Sequence, residues 1–177
     1  MDEFEAIVQQ QTEIDRRFLR DAYKYAMKHS QDPSTATGVV IVKNGVVLIK
    51  GANRACEGVV LTPEITSCAA RYEYIEHAER DAIANAAKMG VPLYKSTIYS
   101  PWFPCAPCAR AIINAGIIEL VTHKELQDLS AKLDAKWGDS QKYAADILEQ
   151  AGVKHRDISC RIGDDIVIRF KRENYTL

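Results

Sequence analysis

The sequence predicts an α/β fold, a three-layer α/β/α sandwich with a mixed central sheet. Three observations predict it. Residues 3–29 repeat apolar side chains at helical spacing, GVVIVKNGVVLIKG carries a hairpin signal, and helix and strand signals alternate from residue 78 onward.

In the first segment Phe4, Ile7, Ile14, Phe18, Ala22, Tyr25 and Ala26 recur in steps that mark one helical face, and Asp32-Pro33 stops the run. The hairpin follows, with two β-branched runs flanking Asn44-Gly45, a pair that favours a tight turn between antiparallel strands. Both runs are almost continuously apolar, so at least one of these strands belongs inside the sheet with both faces covered. Residues 53–76 carry the least pattern, and a connection that long is usually functional or irregular. AERDAIANAAKM, from Ala78 to Met89, reads as a small-residue helix ended by Gly90 and Val91-Pro92. STIYS (96–100) reads as a strand, Cys105–Ala115 as a helix stopped at Gly116, and IIELVTH as a further strand. Ser140 is placed to cap a helix carrying Tyr143, Ala144, Ile147, Leu148 and Ala151, with Gly152 as its stop. VKHRDIS and DDIVIRF close the chain as strands. The first pair is expected antiparallel and the later strands parallel, joined by helical crossovers. No linker, repeat or low-complexity tract interrupts residues 1–177, which predicts one domain.

Composition narrows the function classes. The formal net charge is −1 and the sequence pI is about 6.4, so the chain lacks the basic excess expected of a surface that holds nucleic-acid backbones. No apolar run approaches the ~18 residues of a membrane span, and MDEFEAIVQQQTEIDRR is too acidic for a signal peptide. A cytoplasmic protein without membrane partners is the expectation. The five cysteines are an odd set without a secretion signal, which argues against a disulfide framework. Cys56, Cys68 and Cys160 are expected to be small packing residues, leaving Cys105 and Cys108 to be explained.

Those two lie 28 and 31 positions beyond His77, and each piece opens a predicted helix. The start of a helix carries partial positive charge and free N–H groups, which favour thiolate over thiol. Cysteines three apart on one turn project the same way, so His77, Cys105 and Cys108 form a three-ligand zinc (Zn2+) site with an open fourth position, as catalytic zinc requires. Glu79 is too close to His77 in sequence to ligate the same ion without strain. It fits better as the carboxylate that moves protons beside the open position. Asp81 reads as a helix-surface charge. His77-Ala78-Glu79 with Pro104-Cys105-Ala106-Pro107-Cys108 matches the established zinc-deaminase signature H-x-E…P-C-x-x-C at every position.

From about Asp32 to Thr122 the chain resembles the deoxycytidylate (dCMP) deaminase family of the cytidine-deaminase-like zinc deaminases. The resemblance is carried by DPSTATGVVIVKNG, by HAERDAIANAAKMGVPLYKSTIY and by PCAPCARAIINAGI. It implies hydrolytic deamination of a free cytosine deoxynucleotide, dCMP to dUMP and ammonia. It also implies zinc on His77, Cys105 and Cys108, proton transfer by Glu79, a sugar contact from Asn53 and a pyrimidine carbonyl held by the N–H of Ala78. It further implies a homo-oligomer, often a hexamer, and in some members activation by dCTP and inhibition by dTTP. Two stretches depart from the family. SPWFPC is bulkier than usual, and Trp102 and Phe103 either wall the base pocket or pack the loop. RACEGVVLTPEITSCAARYEYIE does not align; Arg54, Arg71 and Tyr74 there are either nucleotide contacts or solvated surface. Glu76 either meets the cytosine amino group or caps the helix. GANR also resembles tRNA adenosine deaminases, so a tRNA or single-strand base deaminase stands as an alternative, and a non-catalytic zinc-stabilised binding module as another.

Overall fold

A computed structural model of the chain describes residues 2–133 and 138–176; the side chains of Glu3 and Phe4 fall outside the described set. Helix α1 spans Glu3–His29 and begins with a capping box, in which the Asp2 carboxylate accepts the N–H of Glu5 while the Glu5 carboxylate accepts that of Asp2. Its buried stripe is Asp15, Phe18, Leu19, Ala22, Tyr23 and Ala26, whereas Ile7, expected on that stripe, is exposed. The two runs around Asn44-Gly45 become β1 (Gly38–Lys43) and β2 (Val46–Ala52), joined through two left-handed residues. These are the conformations that an Asn-Gly turn supplies cheaply.

The unpatterned stretch forms β3 (Arg54–Ala55), the short helices α2 (Pro63–Ser67) and α3 (Arg71–Tyr74), and β4 (Ile75–Glu76), which pairs back onto β3. Then come α4 (Ala78–Met89), β5 (Thr97–Tyr99), α5 (Ala106–Asn114) and β6 (Glu119–His123). The rest is α6 (Lys124–Leu133), α7 (Gly138–Gln150), β7 (Lys154–Ile158), β8 (Val167–Phe170) and β9 (Glu173–Thr176). Helix α6 had no expectation in the sequence, and α7 begins ahead of Ser140, whose hydroxyl instead accepts the N–H of Ala106 at the start of α5 (3.0 Å). DDIVIRF is a strand, but it pairs with β9 in a sheet of its own.

The central sheet has the order β2-β1-β5-β6-β7, antiparallel from β2 to β5 and parallel from β5 to β7. Alternation along each strand sorts the core into two layers. Val40, Val42, Tyr99 and Val121 face α1 and the β8–β9 hairpin, while Val39, Ile41, Ile98 and Leu120 face α4, α5 and α7. Among the described residues no helix is long and apolar enough to cross a membrane. Cys56 and Cys68 are exposed, contrary to the packing role expected of them, because both sit on the segment between β3 and β4 that stands off the sheet.

Candidate metal centre and active site

Two helix starts meet at this site. His77 occupies the N-cap of α4, in extended conformation, and Cys105 occupies the N-cap of α5, so Cys108 falls on the first helical turn. Helices α4 and α5 pack side by side on one sheet face. The first turn of α4 also presses directly on β2. A Cβ added to Gly51 would lie 2.2 Å from the carbonyl oxygen of Ala78 and 2.6 Å from the nitrogen of Ala82. Glycine at that position lets the backbone that carries His77 and Glu79 reach the sheet. Asp81, expected as a surface charge, is mostly buried and braces the same junction, accepting the Ala52 N–H (3.1 Å) and the Arg54 guanidinium (3.0 Å).

His77 Nδ1 lies 3.5 Å from both cysteine sulfurs, and all three donor atoms fall within 4.8 Å of one another. A tetrahedral zinc at ordinary bond lengths holds sulfur and nitrogen ligands about 3.5 Å apart. The residues therefore fit the ion by donor type and by spacing. Among the described residues no fourth ligand joins the group. Without an ion the two thiols share charge unequally. The hydrogen bond from Cys108, followed by that from His77, holds Cys105 down at about 4, while the same bond and burial push Cys108 well above the usual thiol range. The bond to Cys105 also raises the imidazole of His77. Arg80 donates to the Cys108 sulfur (3.5 Å) and pairs with Glu76, whose carboxylate in turn accepts the backbone N–H of His77 (2.8 Å). These contacts orient the ligands and set positive charge beside the thiolates.

Glu79 is buried, 3% exposed, next to this group. Burial raises its pKa above the ordinary carboxyl range, Cys105 adds to the rise, and His77 opposes it. A carboxyl tuned upward in this way can hold a proton and give it back. A cavity of about 140 Å³ opens over the site. His77, Ala78, Glu79, Cys105, Asn53, Trp102 and Phe103 all line it, together with Tyr72 and the loop residues Asp32, Ser34, Thr35 and Thr37. Asn53 Oδ1 accepts the Thr37 N–H (2.8 Å) and its amide nitrogen donates to the Thr35 carbonyl (2.7 Å), so it fixes that loop as well as facing the cavity. Trp102 is nearly buried; its indole donates to the Ala36 carbonyl (3.3 Å) and its ring packs on Phe170.

Four expected substrate contacts are not brought to the cavity wall. Glu76 faces Arg80 and the ligand side. Arg54 is held by Asp81. Arg71 lies over the Tyr72 ring and donates to the Cys68 carbonyl, and Tyr74 is exposed. Conversely, Ser130, Gln141, Phe170 and Lys171 line the cavity without any sequence signal that marked them. They arrive from α6, α7 and the terminal hairpin, by tertiary docking rather than by local pattern.

Comparison with known proteins adds the relatives of this architecture. Residues 12–124 match the family described as the cytidine and deoxycytidylate deaminase zinc-binding region. A deaminase of Aliivibrio fischeri, from the luxG 3' region and otherwise uncharacterized, is 31% identical over 125 residues, covering 71% of this chain and 80% of its own. Human deoxycytidylate deaminase is 34% identical over 111 residues, 59% of this chain and 61% of its own. The dCMP deaminase of cyanophage S-TIM5 superposes with a TM-score of 0.62 at 21% identity, over 82% of this chain and 98% of its own. At that identity the superposition establishes the fold.

Proposed function

The chain belongs to the cytidine and deoxycytidylate deaminase family, and from that premise we propose that residues 1–177 act as one zinc-dependent domain converting a free cytosine deoxynucleotide, dCMP, to dUMP and ammonia. The observation that carries the proposal is the buried carboxyl of Glu79, held upward in pKa beside a three-donor group on the wall of an aromatic cavity. His77, Cys105 and Cys108 would hold Zn2+. A zinc ion bound there supplies a local positive charge that makes water acidic enough to lose a proton near neutral pH.

The chain's own residues do the remainder. Glu79 takes the proton released as water adds to C4 and passes it to the ring nitrogen, then takes the proton of the new C4 hydroxyl and gives it to the amino group as the C4–N bond breaks and the C4 carbonyl forms. The N–H of Ala78, at a helix start where backbone donors lack intrahelical partners, holds the pyrimidine carbonyl. Trp102 and Phe103 wall the base, and Asn53 meets the sugar. The human relative of this chain is a deoxycytidylate deaminase, and the phage neighbour has been solved with dCMP and dUMP, which supports a nucleotide substrate here. The same reading carries a homo-oligomer, with the exposed Val59, Val60 and Tyr74 offering apolar area to a second copy; light scattering of the purified chain tests it.

The direct test is ammonia release from cytosine, deoxycytidine, dCMP, CMP, dCTP and single-stranded nucleic acid. Turnover of dCMP above the others is expected. Glu79→Ala should keep its zinc and lose about a hundred- to ten-thousandfold in kcat, the usual range for general acid–base groups. Substantial turnover by that variant would remove Glu79 from its role. Activity confined to nucleic acid would replace the substrate, and inactivity on every substrate would favour a zinc-stabilised binding module.

A further inference from the structure

The β8–β9 hairpin is separate from the central sheet, yet it is built into the wall of the cavity. The N–H of Ala36 donates to the Arg169 carbonyl (2.9 Å) and the N–H of Arg172 donates to the Ser34 carbonyl (2.8 Å). The Arg169 guanidinium donates to the Asp32 carbonyl (2.8 Å), and Phe170 packs its ring on Trp102 at 4.8 Å. These bonds tie the hairpin to the loop that presents Asp32, Ser34, Thr35 and Thr37 to the cavity. Its tip is held in place at the level of the backbone.

The tip itself is unusual. Lys171 and Arg172 both adopt left-handed backbone, with φ of 51° and 71°. The first hairpin uses Asn44-Gly45 for the same geometry. Side chains such as Lys and Arg adopt it at a cost, and strain of this kind concentrates at ligand-gripping sites. Here the chain makes the turn without such a pair and sets a lysine on the cavity wall. Among the described residues that line the cavity, Lys171 is the sole lysine, and no arginine joins it. Its ammonium also donates to the Leu133 carbonyl at the end of α6, on the side where Ser130 completes the wall.

We propose that Lys171 is the phosphate-recognising residue of the site, and that the terminal hairpin selects a nucleoside monophosphate over the nucleoside or free base. The inference rests on the deaminase reading for the identity of the base and adds the group that distinguishes the phosphate. An ammonium on the cavity wall can give a phosphate dianion a charge-assisted hydrogen bond. Serine and threonine hydroxyls beside it, from Ser34 and Thr35, suit the remaining phosphate oxygens.

The test uses the full chain loaded with zinc, with Lys171→Asn and Lys171→Arg as variants. Asparagine tolerates left-handed backbone better than lysine, so Lys171→Asn keeps or improves the turn while removing the charge. Expected for Lys171→Asn are a rise in KM for dCMP of about ten- to hundredfold, the worth of one hydrogen bond to a charged group, little change in kcat, and unchanged kinetics on deoxycytidine. Lys171→Arg should recover most of the loss. Equilibrium binding of dUMP against deoxyuridine gives a readout independent of turnover, and the preference for dUMP should collapse in Lys171→Asn. If Lys171→Asn keeps the wild-type ratio of dCMP to deoxycytidine, or binds dUMP as tightly as wild type, the lysine serves the turn alone and the proposal falls. If no cytosine compound is turned over, the deaminase reading falls, and the dUMP comparison still decides the lysine.

Discussion

The two faces of the central sheet share a close helix–strand contact and differ in what surrounds it. On the α4–α5–α7 face Ala78 and Ala82 press on Gly51, with Ala86, Ala109 and Ala144 set among larger residues such as Ile112, Leu120 and Leu148. On the α1 face Ala22 and Ala26 meet Gly38, but the side chains around that contact are large and mostly aromatic, Phe18, Leu19, Tyr23, Tyr99, Trp102 and Phe170, and a buried ionic group lies beside them. There Arg156 forks onto Asp15, meets Glu119 at 2.8 Å, and Tyr99 donates to Asp15 at 3.0 Å. Small residues bring helix backbone against strand backbone, so the helix starts that carry His77, Glu79, Cys105 and Cys108 are fixed by main-chain contact. The metal donors and Glu79 are thus mounted through main-chain contact at Gly51, while the α1 side adds Trp102 and Phe170 to the cavity wall and carries the buried ionic group.

The largest expected break in that contrast is Arg156→Leu. Asp15 is fully buried, and removing the partner of a buried charge typically costs roughly 3–5 kcal/mol. The loss should appear in denaturant melts, with zinc stoichiometry and kcat of the folded fraction unchanged. A change in metal content in the folded variant would mean that the two faces are coupled.

A matched pair of glycines sharpens the comparison. Gly38 on β1 meets α1 almost as closely as Gly51 on β2 meets α4, since a Cβ there would stand 2.6 Å from the Ala22 carbonyl oxygen and from the Ala26 nitrogen. Both Gly→Ala substitutions overpack a helix on a strand, at about 1–3 kcal/mol each. Gly51→Ala alone displaces the turn that holds His77 and Glu79. Metal analysis and kinetics should therefore separate the two, with zinc occupancy and kcat falling in Gly51→Ala and holding in Gly38→Ala. Equal behaviour would show that backbone contact at Gly51 does not position the site.

The same division governs what could be read from the sequence. His77, Glu79, Cys105 and Cys108 sit at helix starts, where spacing, caps and flanking strands leave a local record, and the structure brings them together. The order of helices and strands was legible for a similar reason, since Asn44-Gly45 and Gly90 punctuate it. Asp15 leaves no mark in the sequence, because a charged residue inside an apolar stripe looks like solvent-facing helix and its partner Arg156 lies 141 positions away. Asp81 looks like a surface charge for the same reason: beyond Asn85 on its own helix, its partners Ala52 and Arg54 lie on β2 and β3. Lys171, Ser130 and Gln141 reach the cavity from separate elements late in the chain, so no window of sequence contains the juxtaposition. The alternation in Val167–Phe170 marks a strand but not which sheet it joins.

The smallest expected effect returns to a second arginine, on the small-residue face. Arg80 pairs with Glu76 much as Arg156 pairs with Asp15, but both Arg80 and Glu76 keep about a third of their side chains exposed. Solvent screening makes such a pair worth little to the fold. Its value lies in where it points, since Arg80 also donates to Cys108 and Glu76 receives the N–H of His77. Arg80→Met keeps the length of the side chain and removes the charge and its donors. The expected result is zinc affinity weakened by about ten- to a hundredfold, as for other groups that support metal ligands, with the denaturant midpoint of the zinc-saturated protein nearly unchanged. Competition against a chelator of known affinity measures the first and melts measure the second. Should the melt shift and the zinc affinity hold, Arg80 would belong with Arg156 as a stabilising pair, and the division between the two faces would fail at the residue nearest the metal.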